Sequence, residues 1–438
     1  MKRFSVLVLV SCACLVPVAW AQQSPGPPHS GKQRLLRHRI MNGMPQGHGA
    51  TADLSFYGLA SRPAGLRTWD LGVDGTWVDL IGINNFGVAV GWGDVGGDAL
   101  RMVGVSLFGP AAGNWFDGGV SSDDVDWWSY EGGRISDTGL IVGGIAGTNG
   151  YAMAHVWAGN QPGIDLGTLE GDTGSVAIAV NHSGTLIVGV SFRETETVGE
   201  ATPVVWTPEL RWHQGKLTVT WKIRQLPTNG MEQPGAVFSD GTLAWWGAWG
   251  VNDFGQIVGD GWNDDETKET AVVWTAINGG QGWKVQQLPH QSTFGFVSDH
   301  INWIEAIAIN NLGEVSGEAS IDVGYGHSVP ALWRMSPRTH TWEMTELPTL
   351  SGQRFGSNHV YGINEVGDLV GYSTPVCCDP DNWTILATRW QTKDPSFVKA
   401  IGFPGDWSLA NAVNNSGIAV GSYSSNGGPD QAFAAAIR

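Results

Sequence analysis

Short runs of alternating apolar and polar residues cover most of this chain, punctuated by one recurring motif, apolar–Asn–x–x–Gly–x–x–Val–Gly. It runs from Ile83-Asn84-Asn85-Phe86-Gly87 to Gly91, Ile135-Ser136-Asp137-Thr138-Gly139 to Gly143, Val180-Asn181-His182-Ser183-Gly184 to Gly189, and Val251-Asn252-Asp253-Phe254-Gly255 to Gly259. Three more copies run from Ile309-Asn310-Asn311-Leu312-Gly313 to Gly317, Ile363-Asn364-Glu365-Val366-Gly367 to Gly371, and Val413-Asn414-Asn415-Ser416-Gly417 to Gly421. Successive copies start 52, 45, 71, 58, 54 and 50 residues apart, so seven units fill the chain. Period-two alternation on both sides of the Asn predicts two antiparallel strands. The turn between them follows from its residues: Gly supplies positive φ, and Asn tolerates the left-handed region and hydrogen-bonds its own turn backbone.

Two further strands complete each unit. One ends in Trp, as in Ala154-His155-Val156-Trp157, Val204-Val205-Trp206, Val272-Val273-Trp274, Ala331-Leu332-Trp333 and Ala387-Thr388-Arg389-Trp390. The next carries Leu-Gly or Leu-Pro, as at Leu166-Gly167, Leu226-Pro227, Leu288-Pro289 and Leu347-Pro348. Seven radial units of four antiparallel strands predict an all-β, seven-bladed β-propeller. The repeats open on a lone fourth-type strand near Trp69-Asp70-Leu71-Gly72 and close on a third-type strand, Gln431 to Ile437. The N-terminal strand is therefore expected to join the C-terminal blade and close the ring, which removes open sheet edges.

Ile164-Asp165-Leu166-Gly167-Thr168-Leu169 followed by Val180-Asn181 resembles the bacterial extracellular HAF repeats, and the resemblance extends over roughly residues 67–438. It departs in the third strand, where only His155 keeps the histidine of that pattern. The resemblance implies export and repeat architecture and brings no catalytic residue with it.

The ends of the chain add compartment and organisation. Lys2-Arg3, an apolar run from Phe4 to Trp20 and the Ala19-Trp20-Ala21 pattern predict a signal peptide over residues 1–21, cleaved after Ala21. Residues 22–45, rich in Pro, Ser and basic side chains, read as a tether, and residues 46–438 as one propeller domain. No other apolar stretch is long enough for a transmembrane helix. The whole chain has 24 basic and 41 acidic residues. The first 45 residues hold six of the basic and none of the acidic ones, leaving 18 against 41, a charge of about −23. That excess argues against nucleic acid and anionic membrane as partners. A secreted or periplasmic monomer that binds an extracellular glycan or another envelope ligand is expected.

With the Asn-ending strand innermost, the long connections share one face, and Trp and Asp collect there. Trp92, Trp127, Trp128, Trp246, Trp249, Trp262, Trp303 and Trp407 are the candidate ligand-binding residues, because indole faces stack on sugar rings while neighbouring carboxylates accept from hydroxyls. The alternative for each Trp is packing between blades. Asp94, Asp264, Asp379 and Asp406 are the candidate catalytic carboxylates of an alternative reading, a secreted glycoside hydrolase or polysaccharide lyase. A scaffold without a small-molecule ligand is the third reading. Asp123, Asp124, Asp264 and Asp265 are candidate oxygen ligands for Ca²⁺, the one cofactor the sequence suggests, though none completes a calcium loop. Cys377-Cys378, left alone once Cys12 and Cys14 depart with the leader, is expected to form a vicinal disulfide or to pair between molecules. Nucleophile-elbow, zinc-protease and phosphate-loop motifs are missing from the sequence.

Overall fold

The computed structural model describes residues 59–61, 67–71, 77–93, 101–108, 115–117, 134–147, 149–158, 163–194, 199–213, 216–228, 245–262, 269–277, 279–289, 304–320, 328–353, 356–376, 384–402, 407–424 and 430–438. All regular structure among them is β, organised as a seven-bladed propeller. Blade 1 comprises Val78–Ile83, Val88–Gly93, Arg101–Ser106 and Trp115–Asp117. Blade 2 comprises Leu140–Ala146, Ala152–Ala158 and Ile164–Asp165, with a bridge from Ile135 to Ile141 marking its innermost edge. Blade 3 comprises Gly174–Val180, Ile187–Glu194, Gly199–His213 and Lys216–Gln225. Blade 4 comprises Trp245–Val251, Gln256–Trp262, Glu269–Ile277 and Gly282–Gln287.

Blade 5 comprises Ile304–Ile309, Val315–Ser320, Ser328–Met335 and Trp342–Glu346. Blade 6 comprises Asn358–Ile363, Asp368–Ser373, Leu386–Gln391 and Val398–Ala400. Blade 7 takes Trp407–Val413, Ile418–Ser424 and Gln431–Ala436 from the C-terminal part of the chain and Arg67–Asp70 from the N-terminal part. Trp69 pairs with Ala434 and Asp70 with Phe433, so the ring closes as the sequence predicts. A short strand the sequence did not announce, Leu59–Ser61, adds to the outer edge of this blade.

The core lies between blades. One apolar cluster joins Val258, Val273 and Leu288 of blade 4 to Ile304, Trp333 and Met344 of blade 5. Another joins Leu80 and Val103 of blade 1 to Val420 and Ala434 of blade 7 across the closure. Burying each such side chain contributes roughly 1.5–3 kcal/mol. The Trp that ends the third strand is buried in Trp157, Trp206, Trp274, Trp333 and Trp390. Three of these indoles donate to the preceding blade's Leu-Pro segment: Trp274 to the carbonyl of Pro227, Trp333 to Pro289 and Trp390 to Pro348. The Trp and the Leu-Pro signatures are thus two halves of one inter-blade contact.

Both glycines of the motif have structural work, and it differs. All seven turn glycines have positive φ, between 70° at Gly184 and 89° at Gly367, while no Asn of the motif does. The second glycine answers a bulge. Each innermost strand with a described ladder carries one extra residue three positions before its Asn, at Ile81, Ile178, Trp249, Ile307, Tyr361 or Asn411. The bulge bends the strand. Beside it, a carbonyl comes so close to the second strand that a Cβ on Gly91, Gly189, Gly259, Gly317, Gly371 or Gly421 would sit 1.9–2.0 Å from it.

Candidate functional site

The seven motif turns, six built on Asn and that of blade 2 on Ser136, lie around the propeller axis and are knitted to one another. The Asn side-chain oxygen serves its own turn: Asn310 Oδ1, for example, accepts from the N–H of Leu312 and of Glu314. Its amide nitrogen reaches the next blade. Asn252 donates to the carbonyl of Asn310, Asn310 to that of Asn364, Asn364 to that of Asn414, Asn414 to that of Asn84, and Asn84 to that of Ser136. The following residue makes a second tie from its backbone N–H to a side-chain oxygen: Asp253 to Asn311, Asn311 to Glu365, Glu365 to Asn415, Asn415 to Asn85, and Asn85 to Asp137. A hydrogen-bonded belt therefore closes one end of the ring.

Blade 3 is the exception, for a reason visible in its numbering. Its turn is one residue longer, so Asn181 accepts from both Thr185 and Leu186, and Ser183, not His182, makes the tie to Asp253. The extra residue releases the His182 ring. It lies between Asp137 of the neighbouring blade, at 3.6 Å, and Glu365 of blade 6 on the far side of the axis, at 3.5 Å. The Glu365 contact raises the His182 pKa above the ordinary imidazole value, against the opposing effect of burial, and Asp137 and Asp253 add to the rise. Asp253 itself is held below the usual carboxylate range: burial pushes it up, but hydrogen bonds from Ser183 and Asn311 and the nearby His182 outweigh that.

Protonated His182 thus bridges the axial mouth, and a pH dependence follows. A raised folded-state pKa gives stability that is fully present below about pH 6.5, the unfolded value, and is lost as pH rises through the folded value. The melting-temperature difference between wild type and His182→Gln is expected to be largest below about pH 6.5 and to shrink as pH rises through the raised folded-state value. A difference that stays constant or grows with pH would remove the bridge. The turn tips of this face also expose Phe86, Phe254, Leu312 and Val366.

At the opposite end, beneath the long connections, the structure brings together three residues the sequence reading did not single out. Glu305 and Glu318 are direct cross-strand partners in the first two strands of blade 5, and His359 is the second residue of the first strand of blade 6. All three are buried, and ligand-capable atoms of the three lie within 4.8 Å of one another. His359 Nδ1 faces a Glu318 carboxylate oxygen, and Nε2 has no hydrogen-bond partner. Tyr361, 4.2 Å between ring centroids, and Tyr372, stacked at 5.9 Å, fix the imidazole plane. The sequence signal for Glu305 and His359 is weak: five residues before the motif Asn or Ser, Val176 and Leu409 are apolar and position 247 is Gly, but Asp79 and Glu131 are polar as well. Asp260, at the repeat position of Glu318, is also buried and accepts from Trp249 Nε1 at 2.8 Å.

Three of the candidate ligand-binding tryptophans require correction. Trp92 packs among Met102, Ile135, Ile141 and Trp157 between blades 1 and 2. Trp249 is the bulge residue of blade 4 and is 1 % exposed; Trp407 packs against Tyr361, Tyr372 and Leu409 and is 7 % exposed. Trp92 and Trp407 lie in inter-blade contacts and Trp249 is buried with its Nε1 donating to Asp260, so none offers an open face to a sugar. Trp246 and Trp262 belong to the paired strands Trp245–Val251 and Gln256–Trp262. Trp127, Trp128, Trp303, Asp94, Asp123, Asp124, Asp264, Asp265, Asp379, Asp406, Cys377 and Cys378 lie outside the described residues.

Among solved structures the chain is similar to a puromycin hydrolase S511A mutant complexed with PGG, with a TM-score of 0.50 and 12 % identity over 80 % of this chain and 50 % of that one. It is also similar to Pyrococcus horikoshii acylaminoacyl peptidase, with a TM-score of 0.47 and 11 % identity over 84 % of this chain and 52 % of that one. For Trypanosoma rangeli sialidase the TM-score is 0.40, with 13 % identity over 86 % of this chain and 59 % of that one. The chain thus spans about half the length of the hydrolase and the peptidase, and identities this low speak to the fold alone. A scan against protein-family models gives no match, and a comparison with curated proteins gives none.

Proposed function

We propose that this protein is an exported, non-catalytic propeller that binds an extracellular ligand of the glycan class through its long-connection face. The observation that carries the reading is the inequality of the two ends of the ring. At the axial mouth the turns are short and their polar groups are consumed by the belt between blades. The connections between second and third strands, and from each fourth strand into the next blade, all emerge at the other end. These include the long segments 226–244 and 288–303. Variable connections on a rigid scaffold are where recognition residues are placed. Trp127, Trp128 and Trp303 belong to those connections by chain position, and the net negative charge favours neutral or cationic ligands over phosphate polymers. The predicted leader and the resemblance to HAF repeats support an exterior location.

The test is calorimetry of the intact secreted protein against a panel of soluble glycans, with the same samples assayed for new reducing ends. Saturable binding without cleavage is expected. Trp128→Ala and Trp303→Ala should each weaken it about tenfold or more, the scale of a stacked aromatic anchor. Release of reducing ends would replace the binding reading with a hydrolytic one, and no heat with any glycan would reject this ligand class.

A further inference from the structure

We infer that Glu305, Glu318 and His359 form a binding site for a divalent transition cation, with Zn²⁺ the best match, joining blade 5 to blade 6 beneath the long-connection face. The inference begins with charge. Two carboxylates stand opposite each other on neighbouring strands, 1 % and 2 % exposed, where blade 3 places Val176 and Val190 and blade 7 places Leu409 and Ser422. Bringing two carboxylates out of water side by side is costly unless a cation or a proton is shared between them. The basic group that the described residues place against Glu318, His359, is itself fully buried, and its Nε2 makes no hydrogen bond.

A buried imidazole with one nitrogen left without a hydrogen bond, held beside two carboxylates, is a set of electron-pair donors around which a cation fits. One imidazole nitrogen and two carboxylate oxygens suit a borderline cation better than Ca²⁺, which prefers six or more oxygens. Around a tetrahedral zinc the ligand atoms would stand about 3.4 Å apart, so His359 Nδ1 and the Glu318 oxygen it faces, now in direct contact, would part to admit the ion within the 4.8 Å envelope the three residues already share. Tyr361 and Tyr372 fix the imidazole plane before any ion arrives, which lowers the ordering cost. Three protein ligands leave a tetrahedral ion one position for water or for an oxygen of a bound ligand. The site does not depend on the glycan reading and would stand if that reading failed.

The test uses the intact secreted protein, purified without chelators or metal resins. Elemental analysis should find about one zinc per chain, or the chelator-treated protein should take up one equivalent of Zn²⁺ by calorimetry. Loading with Co²⁺ should give the visible ligand-field absorption of a low-coordinate site. His359→Gln and Glu318→Gln should each reduce affinity about a hundredfold or more while keeping the far-ultraviolet dichroism of the wild type. His182→Gln, at the other end of the axis, should leave it unchanged. If the two ligand variants do not fold, X-ray absorption of the zinc-loaded wild type decides, with one imidazole and carboxylate oxygens expected in the scattering. Less than about a tenth of an equivalent in the wild type, unaltered affinity in folded ligand variants, or loss of the ion in His182→Gln would overturn the assignment.

Discussion

Replacing Gly371 with alanine is expected to cost about 4 kcal/mol or more, enough to unfold blade 6 under mild conditions. Replacing Gly139 should cost only about 1 kcal/mol. Both are glycines of the same repeat motif, and the difference lies in what a methyl group would meet. At Gly371 a Cβ would stand 1.9 Å from the carbonyl oxygen of His359 and 2.8 Å from its carbonyl carbon, both backbone atoms held by the bulged ladder. No rotamer change relieves that collision; the first two strands must part. At Gly139 φ is +82° and nothing lies within 4 Å, so alanine bears only the strain of the left-handed region. Urea unfolding of the two variants, followed by tryptophan fluorescence, measures the contrast. Equal midpoints, or a milder effect at Gly371, would mean that the second strand can move away from the bulge.

This contrast also marks how far the fold was legible in the sequence. Strand periodicity and the Asn-x-x-Gly turns revealed seven units, and the orphan strand at Trp69 to Asp70 revealed the closure. Those features are local, or repeat often enough to be counted. The bulge left no residue signature of its own: the inserted position holds Ile, Trp, Tyr or Asn, and only the glycine on the facing strand records it. The Asn likewise showed its turn-making half, while the amide bond to the next blade depends on a neighbour 50 to 58 residues away.

The candidate site was less legible, for a related reason. Trp92 and Trp249 looked exposed because loop-like residues follow or precede them, yet the strand continues through both and buries each indole, Trp92 between blades 1 and 2 and Trp249 with its Nε1 on Asp260. Glu305, Glu318 and His359 were hidden in the opposite way. Each stands alone among apolar neighbours, and only the pairing of two strands and the adjacency of two blades places them together.

Asp368→Asn is expected to cost about 3–5 kcal/mol, because it removes the negative charge two arginines share and turns one of its two acceptor oxygens into a donor amide. Arg389, 9 % exposed, donates to Asp368 Oδ1 through Nε at 3.1 Å and through Nη2 at 2.7 Å; Arg438 donates to Oδ2 through Nε at 2.8 Å and also through Nη2. Asn364, a belt residue, donates to the same Oδ2, and Arg389 also reaches the carbonyl of Ile437. One carboxylate thus latches the last strand of the ring-closing blade to blade 6. Burial alone would push the Asp368 pKa up, but the hydrogen bonds from Arg389, Arg438 and Asn364 hold it below the ordinary carboxylate value. A depressed folded-state pKa gives stability that is present above about pH 4 and lost as pH falls through the folded value. The wild-type advantage over Asp368→Asn should therefore be constant near neutrality and shrink in acid. Asp368→Asn combined with Arg389→Met should be more stable than Asp368→Asn alone, since it removes the buried charge that the single change leaves uncompensated. If the double variant is the weaker of the two, Arg389 acts through its packing over Phe397, 5.3 Å from the ring centroid, more than through its charge.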